Sequence, residues 1–337
     1  RTSGEGKKET WDILYRDGKG KMTKAYAAYN RNDRIRFQSS SGGVFHALAA
    51  SVIEDGGVVF GVRFDDQFRA VYDVAEEVRE LEMFQGAKYV FPCMNKVCER
   101  VGKYLKEGRR VLFTGLPCHV AGVRAYLRNA DTDRLFCVDL VCHGTPENIA
   151  WESYMRYEKK RTGKISGVRM RDKSGGWTDY RLVIESKGEE AKSEPARKNL
   201  YMRGYTKDLY LRKPCYNCRF RGVERHSDIT LGDYWGVSAR HRKLDTAGGV
   251  SLVLVHSQKG AAILEQAGKS LICEETEIEY ACSHNPAITD SPDMPRCREH
   301  ILAQMKKGID FPQCIEPYIK EKFTVYIREK IRGLKNI

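Results

Sequence analysis

The sequence of 337 residues contains no apolar run long enough to cross a membrane. Its longest apolar runs, such as Val111–Phe113 and Leu135–Cys142, fall far short of the roughly 20 residues that a spanning helix needs. A charged and then apolar segment of the kind that directs secretion is also missing near residue 1. We therefore expect neither a membrane span nor a secretory leader, and we expect the chain to act in the cytoplasm.

Internal repeats and low-complexity tracts are also missing, so we expect an ordinary globular chain. Apolar residues make up 41% of the sequence, which is enough for a core in one large domain or two ordinary ones. Acidic residues are the scarcer charged type, because 45 Asp and Glu stand against 58 Lys and Arg and leave a net charge of +13. This excess favours anionic partners such as nucleotides, phosphates or nucleic acid without choosing among them.

Cysteine, in contrast, is abundant, with 11 residues. A reducing compartment keeps cysteines as thiols, so we expect a subset of them to bind metal or perform redox chemistry rather than to form disulfides. Cys137, Cys273 and Cys282 lie among apolar or mixed residues, and we expect them to be buried as small hydrophobic side chains.

Alternating patterns typical of strands and helices predict an α/β fold. Predicted strands cover residues 25–30, 58–64, 71–74, 111–114, 135–141, 168–171, 179–186, 229–231 and 248–255, and predicted helices cover 44–54, 97–106, 119–129, 147–160, 260–267 and 319–333. The regular alternation between residues 97 and 160 indicates right-handed crossovers in a parallel sheet. We predict a mixed, largely parallel sheet with flanking helices, a β-rich insertion that contains cysteines, and a C-terminal helical extension.

The pattern also divides the chain into portions. Residues 1–24 are polar and are predicted to be a tail or linker from an upstream unit. We predict an N-terminal portion over residues 25–108, a C-terminal α/β portion over 109–290 and a helical extension over 291–337. The polar stretch 189–198 is predicted to be a mobile loop.

Two predicted strands end in turns that contain cysteine. Cys118 and Cys142 follow neighbouring parallel strands, and the carboxyl ends of such strands form the edge where open α/β sheets bind ligands. Cys118 also opens a helix, whose dipole favours the thiolate that metals need. The Cys-x-x-Cys pair of Cys215 and Cys218 would complete the four thiolates that hold an iron-sulfur cluster. Structural zinc, or simple packing of this pair, is an equally weighted alternative from the spacing alone.

A serine and glycine run precedes the predicted helix over 44–54. Small residues over 39–43 let backbone amides face an anion at a helix N-terminus, which predicts a docked phosphate or pyrophosphate. Ordinary N-capping by serine is the more frequent alternative. Lys88, Arg171 and Lys173 offer cations for such an anion, with solvated surface charge as the alternative.

The stretch 197–226 mixes basic and aromatic residues around the Cys-x-x-Cys pair. This mixture leaves open a zinc-stabilised basic binding module, for nucleic acid or other anions, without redox activity. The spacing argues against nucleic acid, because the next histidines after Cys218 are His226 and His241, which do not match zinc-finger spacing.

Several short motifs, taken together and in order, resemble one protein family. They are Ser39–Phe45, Gly86–Tyr89, Gly115–Cys118, Val138–Gly144, Arg171–Lys173 with Trp177, Cys215 with Cys218, and Asp228–Thr230 with Gly232 and Asp233. From about Lys24 to about Ser257 the chain is similar to the beta subunit family of coenzyme F420 hydrogenase and dehydrogenase.

The resemblance implies an oxidoreductase that depends on FAD and a 4Fe-4S cluster. It would pass electrons between a ferredoxin, or a ferredoxin-like domain, and a small-molecule two-electron acceptor, either the deazaflavin F420 or another organic substrate. Residues 25–108 would be the flavin-binding portion and 109–290 the cluster-binding portion. The implied FAD-binding residues are Ser40, Ser41, Gly42, Gly43, Lys88, Tyr89, Gly115, Pro117, Arg171 and Lys173, and the implied cluster ligands are Cys118, Cys142, Cys215 and Cys218.

The sequence departs from the family pattern near these motifs. The family has Thr and Gln where this chain has Leu116 and His119, and Ser where it has Ala87. These changes leave the implied cluster ligands intact and alter the flavin pocket. Residues 1–24 lack the cysteine run of the ferredoxin-like domain that bacterial relatives carry, so we expect that domain to be absent, removed or supplied by a partner.

Overall fold

A computed structural model describes residues 23–187 and 191–319 of the chain. Most of the predicted tail over 1–24 and of the predicted helix over 319–333 lies outside the described residues. None of the helices within them is long and apolar enough to cross a membrane.

The described strands and helices largely follow the predicted pattern. The strands are β1 (Lys24–Asn30), β2 (Val58–Phe64), β3 (Ala70–Ala75), β4 (Val111–Gly115), β5 (Leu135–Leu140), β6 (Ile165–Asp172), β7 (Arg181–Ser186), β8 (Lys192–Pro195), β9 (Ile229–Asp233), β10 (Ser251–Val255) and β11 (Leu271–Thr276). The α-helices are α1 (Asp33–Gln38), α2 (Val44–Glu54), α3 (Val97–Lys106), α4 (Pro117–Tyr126), α5 (Asn148–Thr162), α6 (Leu200–Thr206), α7 (Val237–Arg240), α8 (Gln258–Gln266), α9 (Ile278–His284), α10 (Arg298–Lys306) and α11 (Phe311–Ile319). Short 3-10 helices cover Val78–Phe84, Lys173–Gly175, Lys213–Asn217, Gly268–Ser270 and Pro286–Ile288.

One eight-stranded sheet forms the centre of the molecule, in the order β11-β1-β10-β9-β5-β4-β2-β3. The pairs β2–β4, β4–β5 and β5–β9 are parallel, and the outer pairs are antiparallel. The predicted mixed sheet with a parallel core is therefore confirmed. Both the 25–108 and the 109–290 portions contribute strands to this one sheet.

The sheet is covered on both faces, which explains the continuous apolar runs of its central strands. Successive residues of β4 point to opposite faces. Leu112 packs in the same apolar cluster as Leu48 of α2 and Ile263 of α8. Its neighbour Phe113 packs with Val101 of α3 on the other face. The arrangement is a three-layer helix–sheet–helix sandwich.

A second, three-stranded sheet, β6-β7-β8, forms the predicted β-rich insertion. It shares an apolar cluster with α5, α6 and the two helices of the C-terminal extension, α10 and α11. The predicted mobile loop over 189–198 is wrong over residues 192–195, which form β8. The Lys192 ammonium donates to both carboxylate oxygens of the buried Glu158 on α5, at 2.7 and 2.9 Å, and this contact ties the polar segment to the fold.

One edge of the large sheet collects the segments that carry the predicted site. Strands β1 and β9 run in the same direction, because both are antiparallel to β10 between them. The parallel pairs give β5, β4 and β2 that direction too. The carboxyl ends of these five strands therefore share one edge, called the carboxyl edge below.

Candidate functional site

Four thiols line one small cavity at the carboxyl edge. Cys118 lies in the first turn of α4, Cys142 follows β5, and Cys215 and Cys218 lie at the 3-10 helix Lys213–Asn217 and directly after it. The cavity has a volume of about 30 Å³. Its lining residues are Leu116, Pro117, Cys118, Cys142, Gly144, Thr145, Cys215, Cys218, Phe220, Arg221 and Arg225. The cysteines predicted to act together are thus brought together.

Gly144 and Thr145 hold the Cys215 loop against the turn after β5. A Cβ atom on Gly144, whose φ is +134°, would lie 2.8 Å from Leu211 and 3.3 Å from the Cβ of Cys215, so glycine permits the close approach. The Thr145 amide donates to Cys215 Sγ at 3.5 Å. The Arg212 amide in turn donates to the Thr145 carbonyl at 2.8 Å.

Burial dominates the electrostatics of two of these thiols, Cys118 and Cys142. It raises the pKa of Cys118 to about 11 and that of Cys142 to about 12, and neighbouring thiols add to both shifts. The expectation that the helix dipole favours the Cys118 thiolate is therefore outweighed by desolvation. Coordination to iron or zinc deprotonates a thiol outright, so buried thiols of this kind become thiolates only with a cation among them.

Two arginines supply positive charge beside the thiols. Arg221 donates to the carbonyls of His143 and Ala287, while its buried Nε has no partner in the described part of the chain. Arg225 donates to the Phe220 carbonyl and lies 3.8 Å from the buried carboxylate of Asp139.

The spacing of the thiols bears on which metal group fits them. Across residues 23–187 and 191–319, no three Cys, His, Asp or Glu side chains are placed to hold a single metal ion. Four thiolates on one zinc ion, at 2.3 Å each, require sulfurs within about 4 Å of one another. A four-iron cluster holds its thiolates further apart, and four cysteines are a donor set for either group.

The other three cysteines discussed above lie away from this cavity. Cys137 and Cys282 are buried, as predicted. Cys273 is exposed, contrary to the prediction, because β11 is an edge strand of the large sheet.

The serine and glycine run forms a loop between α1 and α2 at the carboxyl edge. No side chain caps α2, whose N-cap is Gly43 at φ +80°, so the alternative of N-capping by a serine is wrong. The Gly42 amide already donates to Ser251 Oγ at 2.9 Å, and a Cβ there would lie 2.5 Å from the Ala28 carbonyl oxygen. Gly42 therefore serves packing, and the uncapped amides belong to the start of α2.

The two predicted lysines donate to backbone carbonyls. Lys173 donates to the carbonyls of Arg36 at 2.9 Å, Ser41 at 2.5 Å and Gly248 at 2.7 Å. Lys88 donates to those of Met83, Phe84, Gln85 and Gly86, at 2.9 to 3.3 Å. Burial lowers the pKa of each lysine to about 7. In the described fold, Lys173 fastens the Ser41 loop and Lys88 closes the 3-10 helix Val78–Phe84.

Arg171 is different, because part of its guanidinium is free. It lies at the end of β6, only 9% exposed, and its Nη1 donates to Asp233 Oδ2 at 2.5 Å. The guanidinium carbon lies 4.7 Å from the Tyr180 ring centroid and 5.6 Å from that of Trp235. Its buried Nε and Nη2 have no hydrogen-bond partner among the described residues.

Two tyrosines connect Arg171 to the cysteine cavity. The Tyr89 hydroxyl lies 3.5 Å from Arg171 Nη1, and its ring centroid is 5.0 Å from that of Tyr205. The Tyr205 ring contacts His143, next to Cys142, and its hydroxyl donates to the Gly144 carbonyl at 3.0 Å. Asp233 ends β9, the direct neighbour of β5, so the two parts of the site stand on adjacent strands.

Gly115 and Pro117 lie on the cysteine side of this arrangement. Gly115 ends β4, and a Cβ there would meet the Tyr72 hydroxyl at 2.2 Å. Pro117 is the first residue of α4 and lines the cavity. Sequence reasoning missed the roles of Asp233, Trp235 and Tyr205. The available signal was the polar and aromatic run 233–235 at the end of a buried strand.

Comparisons with known proteins show which family the chain resembles. The family profile described as coenzyme F420 hydrogenase/dehydrogenase, beta subunit N-term, matches residues 25–98, and the corresponding C terminus profile matches residues 108–280. No individually curated protein sequence matches the chain significantly.

Among solved structures, a chain of the xenon-derivatized F420-reducing NiFe hydrogenase complex from Methanosarcina barkeri shares the fold. The TM-score is 0.52 at 17% sequence identity, over 86% of this chain and 89% of that one.

Proposed function

The chain belongs to the coenzyme F420 hydrogenase/dehydrogenase beta subunit family and is an oxidoreductase, and from this premise we propose how it transfers electrons. We propose that it binds FAD and a 4Fe-4S cluster. Electrons would pass between a ferredoxin-type one-electron carrier and a two-electron organic acceptor. The observation that carries the proposal is the cavity ringed by four cysteines, beside the strand β9 whose Asp233 binds the partly unpaired Arg171.

Cys118, Cys142, Cys215 and Cys218 are the proposed cluster ligands. When bound, the cluster would supply one-electron transfer, and FAD would supply the conversion between one-electron and two-electron transfer. The arginines at the cavity oppose the negative charge of four thiolates, and the Thr145 amide donates toward the Cys215 sulfur. Hydrogen bonds to sulfur and nearby charge are the protein's means of setting a cluster potential.

The FAD site would extend along the carboxyl edge from α2 toward β5. The uncapped start of α2 suits the pyrophosphate, since free amides and the helix dipole both attract anions. The proposed FAD-binding residues are Ser40, Ser41, Gly42, Gly43, Lys88, Tyr89, Gly115, Pro117, Arg171 and Lys173. Gly42 and the two lysines would act by shaping the loops, because their hydrogen bonds go to other parts of the fold.

The proposed acceptor is the deazaflavin F420 or another small organic molecule. The family description and the F420-reducing complex that shares the fold support this choice. The proposed donor, a ferredoxin or ferredoxin-like domain, would dock near the Cys215–Cys218 loop. A reducing cytoplasm would keep the four thiols available for iron.

Replacing one proposed ligand tests the assignment. We expect Cys215→Ser, purified anaerobically, to lose most of its bound iron and acid-labile sulfide, because three thiolates hold a cluster weakly. The protein without this change should show flavin absorption bands and a broad shoulder in the blue.

Cys273→Ser is the matched control, since this thiol is exposed on β11 far along the sheet from the cavity. It should retain iron, sulfide and flavin in full. Bound zinc with neither iron nor flavin in the unsubstituted protein would instead support the zinc-stabilised binding module and overturn the proposal.

A further inference from the structure

We propose that the free side of the Arg171 guanidinium, formed by Nε and Nη2, binds the N1–C2 carbonyl edge of the flavin ring rather than a phosphate. This inference rests on the proposed function, because it presumes that the chain binds FAD. It assigns Arg171 to the redox-active ring and leaves the pyrophosphate to the start of α2.

The first argument is that two buried hydrogen-bond donors of Arg171 lack an acceptor. The Arg171 side chain is only 6% exposed, and its two hydrogen-bond partners, Asp233 and Tyr89, both accept from Nη1. Nε and Nη2 find no acceptor anywhere in residues 23–187 and 191–319. A buried charged group that lacks hydrogen-bond partners is costly, so such a group indicates an acceptor supplied from outside the chain.

The second argument is the shape of the unpaired group. Nε–H and Nη2–H lie on the same side of the planar guanidinium and match two acceptors held side by side. A carboxylate, a phosphate and the flavin edge that bears N1 and the C2 carbonyl oxygen all present such a pair. The guanidinium alone does not choose among them.

The surroundings favour a flat ring. Tyr180 and Trp235 flank the guanidinium, and Trp235 stacks on Trp177 with ring centroids 5.0 Å apart and planes 15° apart. Tyr89, Tyr180 and Trp235 are each partly exposed, so the aromatic group around the guanidinium reaches the surface of the protein. Aromatic faces stabilise a planar aromatic ring by stacking and offer little to a hydrated phosphate.

The position along the sheet agrees with this choice. Asp233 anchors Arg171 at the end of β9, which neighbours β5 and hence Cys142. The β1 side of the edge, where the α2 loop lies, is two strands away across β10. Two strand spacings are about 10 Å, a gap that the ribityl chain of FAD bridges. The flavin ring would then lie on the side of the cysteine cavity, with Tyr89 and Tyr205 between the ring and the cysteines.

A cation at N1 affects the two redox states of flavin unequally. Reduced flavin carries negative charge on the N1 side, so an arginine there stabilises the reduced ring more than the oxidised ring. An arginine on the pyrophosphate stabilises both states alike. This difference separates the two assignments.

The test compares Arg171→Met and Arg171→Lys with Arg169→Met in the full chain that retains its cluster. Arg169 lies on the same strand, half exposed and paired with Asp172 and Glu185, so it controls for general loss of positive charge. Binding of oxidised and reduced FAD and the flavin midpoint potential are measured anaerobically, and riboflavin serves as a probe without phosphate.

We expect Arg171→Met to weaken the binding of reduced FAD at least tenfold more than the binding of oxidised FAD. A tenfold difference corresponds to a fall of about 30 mV in the two-electron midpoint potential of the flavin. Riboflavin should show the same loss, and Arg169→Met should show none. Arg171→Lys keeps the positive charge but lacks the two adjacent donors. This variant should therefore bind FAD more weakly, and its flavin midpoint potential should fall less than that of Arg171→Met. If Arg171→Met does not fold, Arg171→Lys carries the comparison.

Equal weakening of both redox states with unchanged riboflavin binding would assign Arg171 to a phosphate and overturn the inference. Unchanged flavin affinity and potential in both Arg171 variants would overturn it as well. A chain that binds no flavin before any substitution would instead contradict the proposed function, so the two failures are distinguishable.

Discussion

At the scale of single residues, the buried His119 makes the stability of the folded protein depend on pH. The ring lies buried directly after Cys118, where Nδ1 is 3.0 Å from the Tyr72 hydroxyl and Phe91 packs edge-on at 5.1 Å. Burial lowers the pKa of His119 from 6.5 to about 4, and Arg212 adds to the shift. The histidine is therefore neutral in the folded protein at pH 5, whereas an unfolded chain binds a proton there.

Acid should therefore destabilise the protein through His119. Between about pH 6.5 and pH 4 the unfolded state binds more protons than the folded state, so stability falls as pH falls, by about 2 kcal/mol at pH 5. We expect His119→Gln to lose this part of the pH dependence. Apparent melting temperatures at pH 7.5 and pH 5 measure it, and an equal drop in both proteins would contradict the assignment.

At the scale of elements, one buried ion pair joins the insertion to a helix. Glu158 of α5 is 1% exposed, and Lys192 of β8 donates to both of its carboxylate oxygens. Arg161 is more distant, at 3.7 Å, and half exposed. Lys192 is thus the main partner of this buried carboxylate.

Removing Lys192 should cost more than removing a surface lysine. We expect Lys192→Met to destabilise the protein by about 2–4 kcal/mol, because it leaves a buried charge without its main partner. The control Lys160→Met breaks an exposed pair with Asp310 and should cost less than about 1 kcal/mol.

Denaturant unfolding measures both changes. Adding Glu158→Gln to Lys192→Met should recover much of the loss, because the neutral amide is cheaper to bury. Equal losses in Lys192→Met and Lys160→Met would show that the pair does not hold β8.

These elements also mark how far the sequence predicts the fold. The apolar runs of β4 and β10 and the helical spacing of α2 and α3 are local patterns, and all four elements are confirmed. The strand β8 has the sequence Lys-Ser-Glu-Pro, which lacks strand periodicity, so its state depends on pairing with β7 and on the contact of Lys192 with Glu158. Such a contact between distant segments leaves no local pattern.

The same distinction applies to the site. The gathering of the cysteines could be predicted, because two of them follow adjacent parallel strands and the other two share one turn. The pairing of Arg171 with Asp233 could not, because it joins the small sheet to the large one. The sequence likewise cannot show that the ammonium groups of Lys88 and Lys173 donate to backbone carbonyls of neighbouring turns.

At the scale of the whole molecule, the basic stretch 197–226 contributes less free charge than its composition indicates. Arg203 donates to the Ile319 carbonyl, and Arg212 lies 3.6 Å above the Phe91 ring. Lys207, Lys213 and Arg219 are exposed around the Cys215–Cys218 loop. These three cations form the surface that a negatively charged electron carrier would meet.

Electron delivery by an acidic ferredoxin should therefore depend on this surface. We expect the combined Lys207→Glu and Lys213→Glu variant to be reduced several-fold more slowly by reduced ferredoxin, because like charges slow the encounter. Added salt should also slow the unsubstituted protein, since the Debye length falls from about 10 Å at 0.1 M to about 3 Å at 1 M. Stopped-flow measurement of flavin reduction gives both rates.

The matched control carries the same charge change at the opposite edge of the sheet. Lys106 and Arg128 are exposed where α3 and α4 lead back into β4 and β5, so Lys106→Glu with Arg128→Glu should leave the rate nearly unchanged. A reduction rate that changes neither with added salt nor in the Lys207→Glu, Lys213→Glu variant would contradict this docking surface.

The position of β1 also sets the order in which a ribosome completes the molecule. β1 is the first described strand to be made, yet its partners are β10 and β11, with Lys24 opposite Val255 and Ala25 opposite Thr276. Strands β2, β4 and β5 pair with one another and emerge much earlier. Because a strand can pair only after its partner strands have been synthesised, β1 joins the sheet after nearly all the other strands have been made. The loop that follows β1 therefore closes last, and FAD would load onto a finished polypeptide.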